Sequence, residues 1–282
     1  MKRHYLILFA LLLLAAIATG CVTANAANKV ETADTPEIVI KASDFSFEAP
    51  AKIEAGLVNI TMENVGQEPH HVQMARINDG ATLEQATNAL QSDLGQFFSL
   101  VTFTGGPGLV DPGLSSNVTL DLQPGTYLLL CFMAGHDGVP HLAKGMMATT
   151  EVTEGRNNAV VVKPEADLSL TLKDFKIELP DEIKAGKQTW EVANEGPQAH
   201  EVMIVKLAEG KTLDDVLAFE QAPHGQPPFV NLTGFQAINP GQSGWLNLDL
   251  DPGNYAAVCH VPDPASGIAH EHLGMNKAFI VK

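Results

Sequence analysis

From residue 36 onward the chain is built from short apolar runs separated by turn-forming residues. Glu37 to Ile40, Leu57 to Met62, Val118 to Leu122 and Tyr127 to Phe132 are rich in β-branched, leucine or aromatic side chains, and Gly, Pro, Asn or Asp bound them. Runs of this kind, recurring with turn signals between them, predict the strands of an antiparallel sandwich. Two segments depart from the pattern. Thr82 to Gln91 and Thr212 to Gln221 each begin with a threonine suited to capping and carry an acid, Glu84 or Asp214, in the first turn, which predicts one short helix inserted into each sandwich.

The pattern occurs twice. A shift of about 130 residues lays Asp174-Phe175 on Asp44-Phe45, Pro180 on Pro50 and Ala185-Gly186 on Ala55-Gly56; Asn194, Gly196 and His200 fall on Asn64, Gly66 and His70. Further on, Pro252, Gly253, Tyr255 and Cys259 repeat Pro124, Gly125, Tyr127 and Cys131. The expected organisation is therefore two tandem all-β domains, 36–155 and 165–282, joined by a polar linker at 156–164.

The start of the chain follows different rules. After Lys2 and Arg3 an apolar stretch runs from Leu6 to Ala18, too short to span a bilayer comfortably, so residues 1–20 read as a cleaved export signal. The ending Ala18-Thr19-Gly20-Cys21 resembles the bacterial lipoprotein signal, which implies a lipid on the sulfur of Cys21; an ordinary signal followed by an incidental cysteine is the alternative. Either reading exports the protein, to the periplasmic or extracellular face of a membrane. Residues 21–35 show no apolar periodicity and read as a flexible tether behind the membrane anchor.

Composition narrows the function classes. With 45% apolar residues and a mean hydropathy of +0.04 the chain has enough apolar surface for real cores. There are 33 acidic against 17 basic residues, leaving no basic surface to replace phosphate counterions, so nucleic acid is excluded as a partner. Three cysteines are too few for a disulfide scaffold.

The chemistry lies in the repeated Cys, His and Met positions. In the first copy Cys131 is followed by His141 and Met146; in the second, Cys259 is followed by His270 and Met275, and His70 or His200 lies upstream in each. One thiolate, two imidazoles and a distant thioether form the donor set of a blue copper centre. Strand alternation puts Tyr127, Leu129 and Cys131 on one face and His70, Val72 and Met74 on another, so a cysteine ending one strand can meet a histidine from a neighbour. Because the second copy has His200-Glu201 where the first has His70-His71, the shared position is the inward one, and His71 is expected to face solvent. A lone buried cysteine or methionine is ordinarily packing; Met133, Met147 and Met203 are read that way, and a Cys131–Cys259 disulfide is the structural alternative to metal binding.

The segments NVGQEPHHV and NEGPQAHEV, with CFMAGHDGVPHLAKGM and CHVPDPASGIAHEHLGM, resemble the first-histidine segment and the Cys-to-Met ligand loop of the cupredoxin family. The resemblance covers residues 36–282 and implies two Greek-key sandwiches, each holding one type 1 copper, and transfer of single electrons. It implies the ligands His70, Cys131, His141 and Met146, and His200, Cys259, His270 and Met275. The long Cys-to-His gap leaves His136 as a competitor to His141, disfavoured because the second copy has no counterpart. His141 and His270 are expected nearest the surface, marking the edge where electrons leave.

Three functions fit such sites. An electron carrier uses both centres as they stand. A copper storage or delivery protein would favour more open, thioether-rich sites. A copper oxidoreductase of the nitrite reductase or multicopper oxidase type needs a second kind of site; His260, directly after Cys259, and His272 are its only local signs, with His71 and His224 too uncertainly placed to complete it, and solvated loop histidines are the plainer reading. The carrier reading is preferred. Formal charges of −10 for residues 35–155 (4 basic, 14 acidic) and −9 for 164–282 (8 basic, 17 acidic) predict a redox partner with a basic docking patch and an association rate that falls with salt.

Overall fold

Residues 35–155 and 162–282 are described by a computed structural model; the export signal, Cys21, the tether and most of the linker lie outside the described residues. The first half contains β1 (Glu37–Ser43), β2 (Ser46–Glu48), β3 (Lys52–Glu54), β4 (Gly56–Asn64), β5 (Gln73–Ile77), α1 (Leu83–Ser92), α2 (Leu94–Leu100), β6 (Val101–Phe103), β7 (Ser115–Leu122), β8 (Gly125–Leu130) and β9 (Met147–Thr153). The second half contains β10 (Leu168–Lys173), β11 (Lys176–Glu178), β12 (Glu182–Ile183), β13 (Gly186–Asn194), β14 (His200–Leu207), α3 (Leu213–Gln221), β15 (Phe229–Ile238), β16 (Ser243–Leu250), β17 (Gly253–Val258) and β18 (Asn276–Val281).

In the first half β2-β1-β4-β7 form one sheet and β3-β9-β8-β5-β6 a second; in the second half β11-β10-β13-β16 face β12-β18-β17-β14-β15. The core lies between the sheets, where Ile40, Ile60, Met62, Leu120, Tyr127 and Leu129 meet in one half and Trp190, Val192, Leu246, Tyr255 and Phe279 in the other. The run pattern predicts antiparallel sheets, but the sheets are mixed. β1 pairs with β4, and β10 with β13, in parallel. The chain between β1 and β4 crosses to the other sheet, where β3 runs parallel to β9, and returns in the original direction.

Both predicted helices form, each opened by a reciprocal capping box: Thr82 with Gln85 on α1 and Thr212 with Asp215 on α3. The first half carries an additional helix, α2, capped by Asp93. Ala86, Ala89 and Leu90 of α1 and Phe97 of α2 cover the outer face of β5 and β8 through Leu128 and Leu130.

The halves share a sheet. β7 pairs antiparallel with β16, with Asn117 opposite Asn247, Val118 opposite Leu246 and Thr119 opposite Trp245. Val118 and Leu246 are equivalent positions of the repeat, so the two four-stranded sheets join about a local two-fold into one of eight strands. The Asn247 amide donates across the seam to Asn117 Oδ1 (2.8 Å) and Thr119 Oγ1 (3.1 Å).

Candidate metal centres

Each centre is assembled from three pieces. The first is the turn after β4. Asn64 Nδ2 donates to the carbonyls of Glu68 (2.9 Å) and Val110 (3.0 Å), and its Oδ1 accepts the Gly66 N–H (3.0 Å). Asn194 makes the same three bonds to Gln198, Ile238 and Gly196. This frame holds His70 against Val110 by a pair of backbone hydrogen bonds and delivers its ring inward. The repeated glycines are spacers: a Cβ on Gly66 would stand 2.7 Å from His70 Nε2, and one on Gly196 2.6 Å from His200 Nε2.

The second piece is the loop after β8 or β17. Cys131 closes the strand register by donating its N–H to the Met146 carbonyl (3.4 Å), while His141 N–H bonds Met133 O (2.8 Å) and Met146 N–H bonds His141 O (2.9 Å). Cys259, His270, Val261 and Met275 repeat these contacts. The last turn before each methionine ends on a left-handed residue, Gly145 (φ 98°) or Gly274 (φ 108°), a conformation that glycine takes without penalty.

The third piece is the repeated Asp-Phe pair after β1 or β10. Asp44 Oδ1 accepts the His70 ring N–H (3.1 Å) and the backbone N–H groups of Gln67 and Glu68 (2.8 and 3.2 Å). Asp174 holds His200 at 2.8 Å. Phe45 and Phe175 are the only non-glycine residues with positive φ among those described, 68° and 61°. That costly conformation turns each ring edge onto a histidine, at 5.1 Å from His141 and 5.3 Å from His270 between centroids.

The result is two converging sets, His70, Cys131, His141 and His200, Cys259, His270, all six fully buried. In each set the metal-capable atoms lie within 4.8 Å of one another. His70 Nδ1 is 3.1 Å from His141 Nδ1, and Cys131 Sγ 3.5 Å from His141 Nδ1; the second set shows the same 3.1 and 3.5 Å. Met146 and Met275 are buried beside them in the core. Cys131 and Cys259 are free thiols, which removes the disulfide alternative.

The donor chemistry fits a soft metal ion. On His70, His141 and His200 the Nε2–H is given to a carboxylate, Asp44, Glu68 and Asp174 respectively, and on His270 to the Gln198 amide oxygen. A carboxylate only accepts, so each Nδ1 is left as a lone pair. Two lone pairs face each other at 3.1 Å and the neighbouring thiol S–H can serve only one of them, whereas a cation between them satisfies both imidazoles and the thiolate. Burial, opposed by Asp44 or Asp174, holds the His70 and His200 pKa values below the ordinary range, so the rings are neutral donors. Burial also pushes the Cys131 thiol up to about 11 and Cys259 well above its ordinary value, so a metal must displace the thiol proton. Thiolate and imidazole donors select copper over hard cations.

Several expectations change. His71 does not face solvent: it is buried, its Nε2 accepts the Phe132 N–H at 2.9 Å, and burial lowers its pKa to about 4. Glu201, its counterpart, accepts the His260 N–H at 3.2 Å, so this position braces the residue after the cysteine in both halves. No histidine edge is exposed at either centre: His141 and His270, like His70 and His200, are fully buried, with Phe45 and Glu68 or Phe175 and Gln198 against them. His136 is exposed and stands outside the metal-capable set. His224 is exposed. Met203 packs in the core and accepts from Gln236, while Met133 and Met147 pack as apolar filler. His260 is no solvated loop residue: burial works against its charge, but Glu201 and Glu220 outweigh it and hold its pKa well above the ordinary value. The supporting residues Asp44, Phe45, Glu68, Asp174, Phe175 and Gln198 have no assigned role in the sequence reading, although the repeated Asp-Phe dipeptide is their visible trace.

No protein-family model matches the chain, and no curated protein matches it. Among solved structures it is similar to auracyanin B at 15% identity, over 43% of this chain and 93% of that one, with a TM-score of 0.30. It is similar to dithionite-reduced auracyanin from Roseiflexus castenholzii at 18% identity, over 43% and 99%, TM-score 0.30. It is similar to copper nitrite reductase from Nitrosomonas europaea at 14% identity, over 88% and 94%, TM-score 0.25. The described residues form a mostly β fold with a buried His/Cys/His group in each half. Among the described residues, no helix is long and apolar enough to cross a membrane.

Proposed function

We propose that the protein is an exported two-centre blue copper protein that carries single electrons between redox partners. The observation that carries this reading is the pair of opposed Nδ1 lone pairs beside a buried thiol, present identically in both halves. His70, Cys131 and His141, with Met146, would hold one copper, and His200, Cys259 and His270, with Met275, another. Bound there, copper supplies a one-electron couple.

The chain's own residues define how such a site works. Asp44, Glu68, Asp174 and Gln198 fix the orientation of the four rings before a metal arrives, and the closed, buried donor set supports retention over delivery. Phe45 and Phe175, both half-buried, stand between solvent and His141 or His270 and form the edge a partner would approach. The acidic surface of both halves favours a basic partner, and the lipid anchor read at Cys21 would keep the carrier at a membrane face.

Copper counting with visible and paramagnetic resonance spectra tests the reading. The chain is expected to bind two coppers, with absorption at roughly 600 nm from thiolate-to-copper charge transfer. Cys131→Ser and Cys259→Ser should each remove one copper and its share of the band. A colourless chain that retains copper would instead support storage, and a chain that binds none would end the reading.

A further inference from the structure

A third set of metal-capable side chains lies in the second half, outside both centres: Glu220, His260 and Glu271, whose ligand atoms fall within 4.8 Å of one another. The three come from different elements. Glu220 is in the last turn of α3, His260 follows Cys259 at the end of the β17 segment, and Glu271 is in the short helical turn after His270. His260 Nε2 is 3.0 Å from Glu220 Oε1, and its Nδ1 is 3.6 Å from Glu201 Oε1; His272 Nε2 is 3.6 Å from Glu271 Oε1.

The polar accounting does not close within the chain. Glu271 has 4% of its side chain exposed and Glu220 16%, yet Oε2 of each is buried without a hydrogen-bond partner. Three buried or nearly buried carboxylates, Glu201, Glu220 and Glu271, surround one imidazole ring, which hydrogen-bonds Glu220 and lies within ion-pair distance of Glu201. Buried carboxylate oxygens without partners are costly.

The first half shows what this place holds when no such demand exists. The repeat equivalents of Glu220, His260 and Glu271 are Leu90, Phe132 and Leu142, and these three pack together in one apolar cluster. Three apolar residues from three separate elements are thus replaced in the second half by two carboxylates and an imidazole that still meet. A single such exchange would be surface drift; three that converge form a donor set.

We propose that Glu220, His260 and Glu271 form a third metal site, for a divalent first-row transition cation, with Glu201 and His272 flanking it. Two carboxylates and one imidazole suit ions that accept mixed oxygen and nitrogen donors, such as Zn2+ or Mn2+, and offer no soft sulfur to compete for copper. A dication between them partners the two orphaned oxygens and offsets the excess negative charge.

The test uses the full chain loaded with copper and freed of excess metal, titrated with Zn2+ by calorimetry and with Mn2+ through the resonance signal of the free ion. One equivalent beyond the copper is expected, weakened by about tenfold or more in Glu220→Gln and in Glu271→Gln and unchanged in Glu209→Gln, an exposed carboxylate elsewhere. A triple variant that restores the apolar set, Glu220→Leu with His260→Phe and Glu271→Leu, is expected to fold and to lose that equivalent. The same difference of one equivalent between the original chain and the triple variant is expected without copper, so the outcome does not depend on the electron-carrier reading. Binding that is absent, or equal in the original chain and in all of these variants, overturns the proposal.

Discussion

Replacing Asp44 by alanine should loosen the first centre and leave the second alone. Asp44 Oδ1 receives the His70 ring N–H at 3.1 Å and the N–H groups of Gln67 and Glu68 at 2.8 and 3.2 Å. The two backbone donors lie at the exposed side of the turn, where water can replace the carboxylate. His70 is fully buried, and a buried donor left unpaired costs about 1 to 3 kcal/mol. At about 1.4 kcal/mol per tenfold this corresponds to roughly 5-fold to 150-fold in copper affinity, a span that includes the roughly 10-fold to 100-fold typical of partners that orient a ligand histidine. Competition with a chelator of known affinity, followed at the visible band, reads the loss. Asp174→Ala should act on the second centre by the same amount, and Asp44→Asn, which keeps an acceptor, should lose less. Affinity of Asp44→Ala within about threefold of the original, where about 0.6 kcal/mol is at stake, or equal weakening of both centres, would refute the orienting role.

Three further outcomes follow from the same geometry. Gly66→Ala places a Cβ 2.4 Å from Asp44 Oδ1 and 2.7 Å from His70 Nε2, so the denaturation midpoint should drop by the equivalent of about 1 to 3 kcal/mol; an unchanged midpoint would show that the turn yields freely. Glu68→Gln removes a negative charge whose oxygen lies 2.9 Å from His141 Nε2. It should therefore raise the reduction potential of the first centre, and Gln198→Glu should lower that of the second; voltammetry showing no movement in either would remove the charge argument. In the metal-free protein, burial holds His71 at a pKa of about 4 against 6.5 for a free ring. Protonation therefore favours the unfolded chain, and this contribution to stability is complete above pH 6.5 and is lost as pH falls toward 4. The loss is at most about 3 kcal/mol. Urea midpoints measured at pH 7.5 and 5 should differ less in His71→Gln, and an identical pH slope would count against the assignment.

The six buried donor residues were legible because duplication separates kept positions from drifting ones: His70, Cys131 and His141 have partners in His200, Cys259 and His270, and His136 has none. The helix starts were legible from Thr82 and Thr212, whose capping is a local interaction. His71 was misread for a reason that alternation does not contain. Facing away from one core does not mean facing water when the other half of the molecule stands close, and the surroundings of His71 include Glu201 and His260. The pairing of β7 with β16 was invisible for a similar reason, since periodicity marks a strand but does not name its neighbour. The work of Asp44 and Phe45 was hidden by distance along the chain, because the side chains they support are 26 and 96 residues away.

The seam at Val118 and Leu246 makes the covalent connection between the halves nearly dispensable. Cleaving the backbone between Gly155 and Val162 would give two fragments that remain clasped edge to edge, because parting them strips the ladder from β7 and β16 and bares two unpaired margins at once. Grafting either half onto a foreign protein would first require a substitute for that lost neighbour.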